Sequence, residues 1–197
     1  MIRVLSTGSF EENASIVSLD GTSAWIIDPG ADAGRIVAEL EKNSLSCRGI
    51  LLTHAHFDHI SAIPLLLEKF PGVKVYVHAE DALMFGHEWN QMPPEYPVTP
   101  RPENLVESDW PEAFQVLETP GHTRGSVCFY LKEQGVLFSG DTLFAGSVGR
   151  TDFPGGSFTA LRRSLESLKK LAPETRVIPG HGPETTIGRE IATNPYM

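Results

Sequence analysis

The sequence predicts a mixed α/β layered fold, on three observations. Short β-rich runs and amphipathic helical stretches succeed one another along all 197 residues. The pattern falls into two similar halves, with helices inserted after several of the strands. Four apolar runs stop at histidine or aspartate, and α/β folds place their sites at such strand ends. No composition shift marks a boundary, so residues 1–197 are expected to form a single domain without a low-complexity segment.

Each element has a local reason. "ASIVSLD" and "SAWIID" are β-rich, and Asp20-Gly21 between them is a hairpin signal. Asp28-Pro29-Gly30 stops the second strand. "ADAGRIVAELEKN" sets Ile36, Val37 and Leu40 on one face of a helix. "GILLT" is a continuous apolar run. "SAIPLLLEKF" reads as a helix with Ser61 as N-cap and Pro64 in its first turn. "VKVYVH" gives another strand and "AEDALMF" a short helix. Residues 90–109 hold five prolines and little periodicity, which predicts a long loop, either a lid or a plain surface excursion. "AFQVLETPG" restores the strand pattern, and "SVCFYLKEQGVLFSGD" predicts a hairpin turning near Gln134-Gly135. "SFTALRRSLESLKKL" is a helix with Ser157 as N-cap and Pro173 beyond its end. "TRVIPGH" is a last strand, and a short helix is expected around Ile187 to Ala192.

Composition narrows the function. A net charge of −9 argues against nucleic acid as a partner. The one basic cluster, Arg162, Arg163, Lys169 and Lys170, alternates with acids and serines and reads as a solvated helix face. Cys47 and Cys128 form no CxxC pair and no disulfide framework, so they are expected as reduced thiols. The N-terminus lacks the apolar core of a signal peptide, and no apolar run approaches the ~18 residues that a membrane span needs. These features predict a cytoplasmic protein with no membrane partner and leave the oligomeric state open.

The chemistry lies where the apolar runs stop. "ILLTHAH" delivers His54 and His56, with Asp58 and His59 close behind; "FQVLETPGH" delivers His122, "GVLFSGD" Asp141 and "TRVIPGH" His181. These seven are candidate metal ligands. A tetrahedral zinc with an open position uses three protein ligands, so seven suit two ions sharing one carboxylate. Residues two apart in an extended loop point the same way, which pairs His54 with His56; Asp58 and His59, beyond a turn, reach the second ion. His122 would complete the first site and His181 the second, with Asp141 as the bridge. His78 and His87 end no strand beside another ligand type and read as ordinary hydrogen-bonded side chains. Two ions would bring a shared water near its pKa at neutral pH and polarise a carbonyl, which is hydrolase chemistry. Asp58 has a second possible role, orienting the nucleophile or shuttling its proton, which with the bridging Asp141 makes two candidate catalytic residues. Asp28 reads either as a hydrogen-bond partner of a ligand histidine or as a plain turn former before proline. Zn²⁺ is the expected ion; iron and manganese accept the same donors.

"THAHFDH", "PGHT", "SGDTLF" and "PGH", in this order, resemble the metallo-β-lactamase superfamily over essentially the whole chain. The resemblance implies a four-layer αββα sandwich with the active site at the edge between two central sheets. Within the superfamily the chain resembles the short bacterial glyoxalase II branch, because Asp141 stands where true metallo-β-lactamases typically carry cysteine. That branch implies hydrolysis of a glutathione thioester such as S-lactoylglutathione, a small-molecule partner, with Arg150 as the basic substrate-binding residue. Two departures stand out: Asp152 replaces the branch's aromatic residue, and no helical C-terminal domain is expected beyond Met197. "GRTDF", residues 149–153, also resembles the persulfide dioxygenases, which implies one Fe(II) held by His56 or its neighbour, His122 and Asp141. A metal-binding or electron-transfer module without hydrolysis is the third reading.

Overall fold

Runs such as "SAWII" and "GIL" carry no polar alternation, so both faces of the strands they form must be covered, as in a parallel sheet flanked by helices. The computed structural model describes all of residues 1–197 and divides into two compact units, Met1–Asp109 and Trp110–Met197. In the first unit β1 (Ile2–Thr7), β2 (Glu12–Val17) and β3 (Ser23–Ile27) form an antiparallel meander. The predicted hairpin joins β2 to β3, with Ser15 opposite Ile27 and Val17 opposite Trp25. Asp20 fixes its turn by accepting from the Thr22 and Ser23 amides at 2.8 and 2.7 Å.

From β3 onward the strands run parallel, and each step needs a crossover. The helix α1 (Ala33–Lys42) leads to β4 (Ser46–Leu51). Next come α2 (Phe57–Ile60), α3 (Ile63–Lys69) and β5 (Val75–Val77), then α4 (Ala79–Ala82) and β6 (Leu105–Glu107). The six strands lie in sequence order, and Ile16, Ile26, Ile36, Leu40, Ile50 and Leu66 are among the buried core.

The second unit starts with an antiparallel meander of β7 (Gln115–Glu118), β8 (Val127–Leu131) and β9 (Val136–Gly140). A 3₁₀ turn over Lys132–Gln134 and Gly135 at φ 61° close the hairpin where the sequence predicts it. The helix α5 (Phe158–Leu168) crosses to β10 (Arg176–Pro179), parallel to β9. Ser157 caps α5, its Oγ accepting from the Ala160 amide at 3.3 Å. A two-residue β11 (Thr185–Thr186) and α6 (Ile187–Thr193) complete the chain. No helix is long and apolar enough to cross a membrane.

Two expectations are corrected. Ser61 does not cap the helix of "SAIPLLLEKF": it ends α2, its hydroxyl donates to the Phe57 carbonyl at 2.7 Å, and Ala62 precedes α3. One turn of helix is too short to show a period, so the sequence does not reveal α2 and places the start of α3 at Ser61. Residues 90–109 are not all loop: Met92 and Tyr96 pair in a β-bridge, and β6 pairs with β5.

Candidate metal centre

In the first unit the donors follow the carboxyl ends of two adjacent parallel strands. β3 ends in Asp28, and β4 runs into the loop and helical turn that carry His54, His56, Asp58 and His59. The three imidazoles are buried and Asp58 is half-buried. Ring centroids of His54 lie 4.9 Å from His56 and 4.0 Å from His59. Ligand atoms of His54 and His56 lie within 4.8 Å of each other, as do those of Asp58 and His59, and those of Asp28, His54 and His59.

Asp28 organises this half. It is buried and non-glycine, yet holds φ 50°, a conformation that costs about 1–3 kcal/mol and persists only when its surroundings impose it. Its carboxylate accepts from the Thr53 amide at 2.7 Å and from the Thr53 hydroxyl at 2.5 Å, and faces His59 Nδ1 at 3.2 Å. The Thr53 hydroxyl has a single proton, which goes to Asp28. At 3.1 Å it must therefore accept from His54 Nδ1. His54 thus carries the proton on Nδ1 and the lone pair on Nε2, the arrangement of a metal-ligating histidine, and His59 turns Nδ1 toward the same carboxylate. Of the two readings of Asp28, the structure supports the hydrogen-bond partner.

Other groups hold the loop from outside. Asp81 accepts from the Ala55 amide at 3.2 Å; Asn90 accepts from the Phe57 amide at 3.0 Å and donates to the Ala55 carbonyl at 2.8 Å. Both are buried. Gly30 lies so close that a Cβ there would fall 1.7 Å from the Asp58 carbonyl oxygen. Glu12 is buried, accepts from the Thr7 hydroxyl at 3.0 Å and puts its other oxygen 3.9 Å from His59 Nδ1. Burial pushes its carboxyl well above the usual range, outweighing the neighbouring His59.

In the second unit β7, β9 and β10 run in one direction, and His122, Asp141 and His181 follow their carboxyl ends. His122 Nδ1 donates to the Arg150 carbonyl at 2.7 Å, which leaves Nε2 as its lone-pair nitrogen, 3.5 Å from Asp141 Oδ2. The other carboxylate oxygen of Asp141 lies 3.8 Å from His181 Nε2. One carboxylate therefore addresses two imidazoles through separate oxygens. The loop after Asp141 is tied to α6: Glu190, fully buried, accepts from the Gly146 amide at 2.7 Å, and Asn194 donates to the Ser147 carbonyl at 3.0 Å.

Arg150 contributes its backbone to His122 and turns its side chain outward. Its Nε and Nη2 each donate to Asp152 at 2.7 Å, and the guanidinium lies 3.9 Å over the Phe153 ring. The pair holds the Asp152 carboxyl down to about 2. His78 caps α4, accepting from the Glu80 amide at 3.2 Å, and His87 lies beside Trp89 with centroids 5.5 Å apart.

The four first-unit candidates thus share one loop and the helical turn after it, and the three second-unit candidates gather at one sheet edge. Imidazoles with Nδ1 engaged, together with carboxylates, form a donor set that fits divalent zinc, iron or manganese. Thr53, Glu12, Asp81, Asn90, Glu190 and Asn194 carry no motif and were not foreseen.

The metallo-β-lactamase superfamily model matches residues 8–181. The hydroxyacylglutathione hydrolase GloC of Haemophilus influenzae is 33% identical, over 100% of this chain and 97% of its own. The crystal structure of the BLEG-1 B3 metallo-β-lactamase is 37% identical with a TM-score of 0.91, over 100% and 99% of the two chains. That of TTHA1623 in a di-iron-bound form is 42% identical with a TM-score of 0.88, over 99% and 100%.

Proposed function

The chain belongs to the metallo-β-lactamase superfamily, and from that premise we propose that it is a dinuclear metallohydrolase cleaving a thioester, with S-lactoylglutathione as the type substrate. It has the α/β fold of that family. The observation that carries the proposal is the Asp141 carboxylate, whose two oxygens face His122 and His181 separately, a placement from which it could serve two cations. In this reading His54, His56 and His122 hold one ion, Asp58, His59 and His181 the other, and Asp141 joins them. Zn²⁺ is the proposed ion, with iron as the alternative suggested by the di-iron relative. The name of GloC supports a glutathione conjugate.

When bound, a pair of divalent ions makes water nucleophilic at neutral pH and polarises a carbonyl. The protein's own residues do the rest. Thr53, its own proton held by Asp28, keeps the His54 lone pair on Nε2, and the Arg150 carbonyl does the same for His122, while Asp28 also faces His59. Asp58 orients the attacking water and takes its proton. Arg150, at the exposed edge of the loop, meets the thiol carrier. The same reading has a single cytoplasmic domain acting on a small molecule, with no nucleic acid or membrane involved.

The test pairs metal analysis with two assays on the purified protein: S-lactoylglutathione hydrolysis, and oxygen uptake with glutathione persulfide. About two ions per chain with hydrolysis and no oxygen uptake is the expected result. One iron with oxygen uptake and no hydrolysis overturns it, as does turnover of a β-lactam in preference to every thioester.

A further inference from the structure

The outward side of the Arg150 loop bears on which thiol carrier is selected. A guanidinium offers two edges of paired N–H groups, and each matches one carboxylate. Asp152 fills the Nε–Nη2 edge with both of its oxygens, and Phe153 covers one face. Both charged side chains are more than half exposed, at 56% and 66%, so this is not a buried structural pair. Only the Nη1 side is left to a ligand. It offers hydrogen-bond donors, but the positive charge behind them is already balanced one residue-pair away. A carboxylate arriving there gains hydrogen bonds without net attraction, whereas a neutral amide or hydroxyl arm loses nothing.

Resting on the thioesterase reading, we propose that Asp152 is a specificity-determining residue: by occupying Arg150 it makes this loop a charge-neutral receptor and removes the preference for carboxylate-bearing thiol carriers. The test is Asp152→Asn in the metal-loaded full chain. Binding is measured by calorimetry with two unreactive thioether probes, S-methylglutathione and its dimethyl ester. The variant is expected to bind the free-acid probe about three- to tenfold more tightly, the size of one partly screened charge interaction, and the ester within about twofold of wild type. The gain shrinks in high salt and vanishes in the Arg150→Gln background. Equal changes for both probes, no change for either, or a gain that persists without Arg150 overturns the proposal. Absence of any thioester turnover by wild type would sink the thioesterase reading instead, and the binding comparison would still decide the role of Asp152.

Discussion

Replacing Asp28 by asparagine isolates its hydrogen-bonding role. The two side chains are isosteric, and asparagine tolerates the left-handed backbone that Asp28 adopts at φ 50°. The retained oxygen still accepts from the Thr53 amide at 2.7 Å. An NH₂ group now stands where an oxygen met the Thr53 hydroxyl at 2.5 Å and His59 Nδ1 at 3.2 Å. Two donors then face a donor. The Thr53 hydroxyl can relieve its side by accepting from the new amide, but its proton must then go to His54 Nδ1. That moves the His54 lone pair to the wrong nitrogen, and His59 Nδ1 then faces an NH₂ group in place of a carboxylate oxygen. Loss of such a supporting bond typically costs 10–100-fold in metal affinity, about 1.4–2.7 kcal/mol. Unfolding of chelator-treated protein should show a further loss of about 1–3 kcal/mol from the unmatched buried donors. Competition titration against a chromophoric chelator measures the first quantity and urea unfolding the second. A folded Asp28→Asn protein that binds metal within about twofold of wild type would refute the tautomer argument, since the expected loss is at least about tenfold.

Glu12 and Gly149 test the two halves separately. In metal-free protein, burial raises the Glu12 pKa above its ordinary 4.5, so the native state holds a proton that the unfolded chain releases. The stabilisation is therefore full below that value and is lost as the pH rises towards the folded pKa. Glu12→Gln has no proton to lose: its denaturation midpoint should match wild type at about pH 4.5 and exceed it increasingly above, whereas parallel pH profiles would contradict the burial argument. At Gly149 a Cβ would fall 1.9 Å from the Asp141 carbonyl oxygen and 3.1 Å from His122 Nδ1. Gly149→Ala must displace the loop that carries the Arg150 carbonyl, at a cost of about 1–3 kcal/mol in unfolding free energy and about tenfold or more in metal affinity. Unchanged Tm and metal titration would show that the loop yields freely.

What the sequence made legible follows from topology. In both units the candidate ligands sit just past the carboxyl ends of strands that run in one direction, whether the chain leaves there by a parallel crossover, as after β4 and β9, or by an antiparallel return, as after β7 and β10. A candidate ligand is then the residue at which an apolar run stops, a signal within ten positions of sequence, and "GILLTHAH" and "GVLFSGD" show it plainly. The capped helix at Ser157 and the hairpins at Asp20 and Gly135 were readable for the same local reason. The supporting groups have no such signal. Glu12 opens a strand as though it faced solvent, and only the placement of β2 beside β3 brings it under His59. Asn90 lies in a proline-rich stretch without period, and its value comes from two backbone groups of the histidine loop. β6 is visible only as a partner for β5.

Asp28 falls between these classes, and that explains why its two readings could not be separated from sequence. A strand-end aspartate before proline satisfies the turn on its own, so nothing local requires a second role. The second role exists because β3 and β4 are parallel neighbours in register, Ile27 opposite Leu51, which sets the residues following each strand side by side. Thr53 and Asp28 meet by that register alone. A one-residue slip between these strands would leave every candidate ligand in the sequence unchanged and still dissolve the hydrogen bonds that fix the His54 tautomer. The candidate ligands are thus written in the loops, while the protonation of His54 is written in the pairing of two strands.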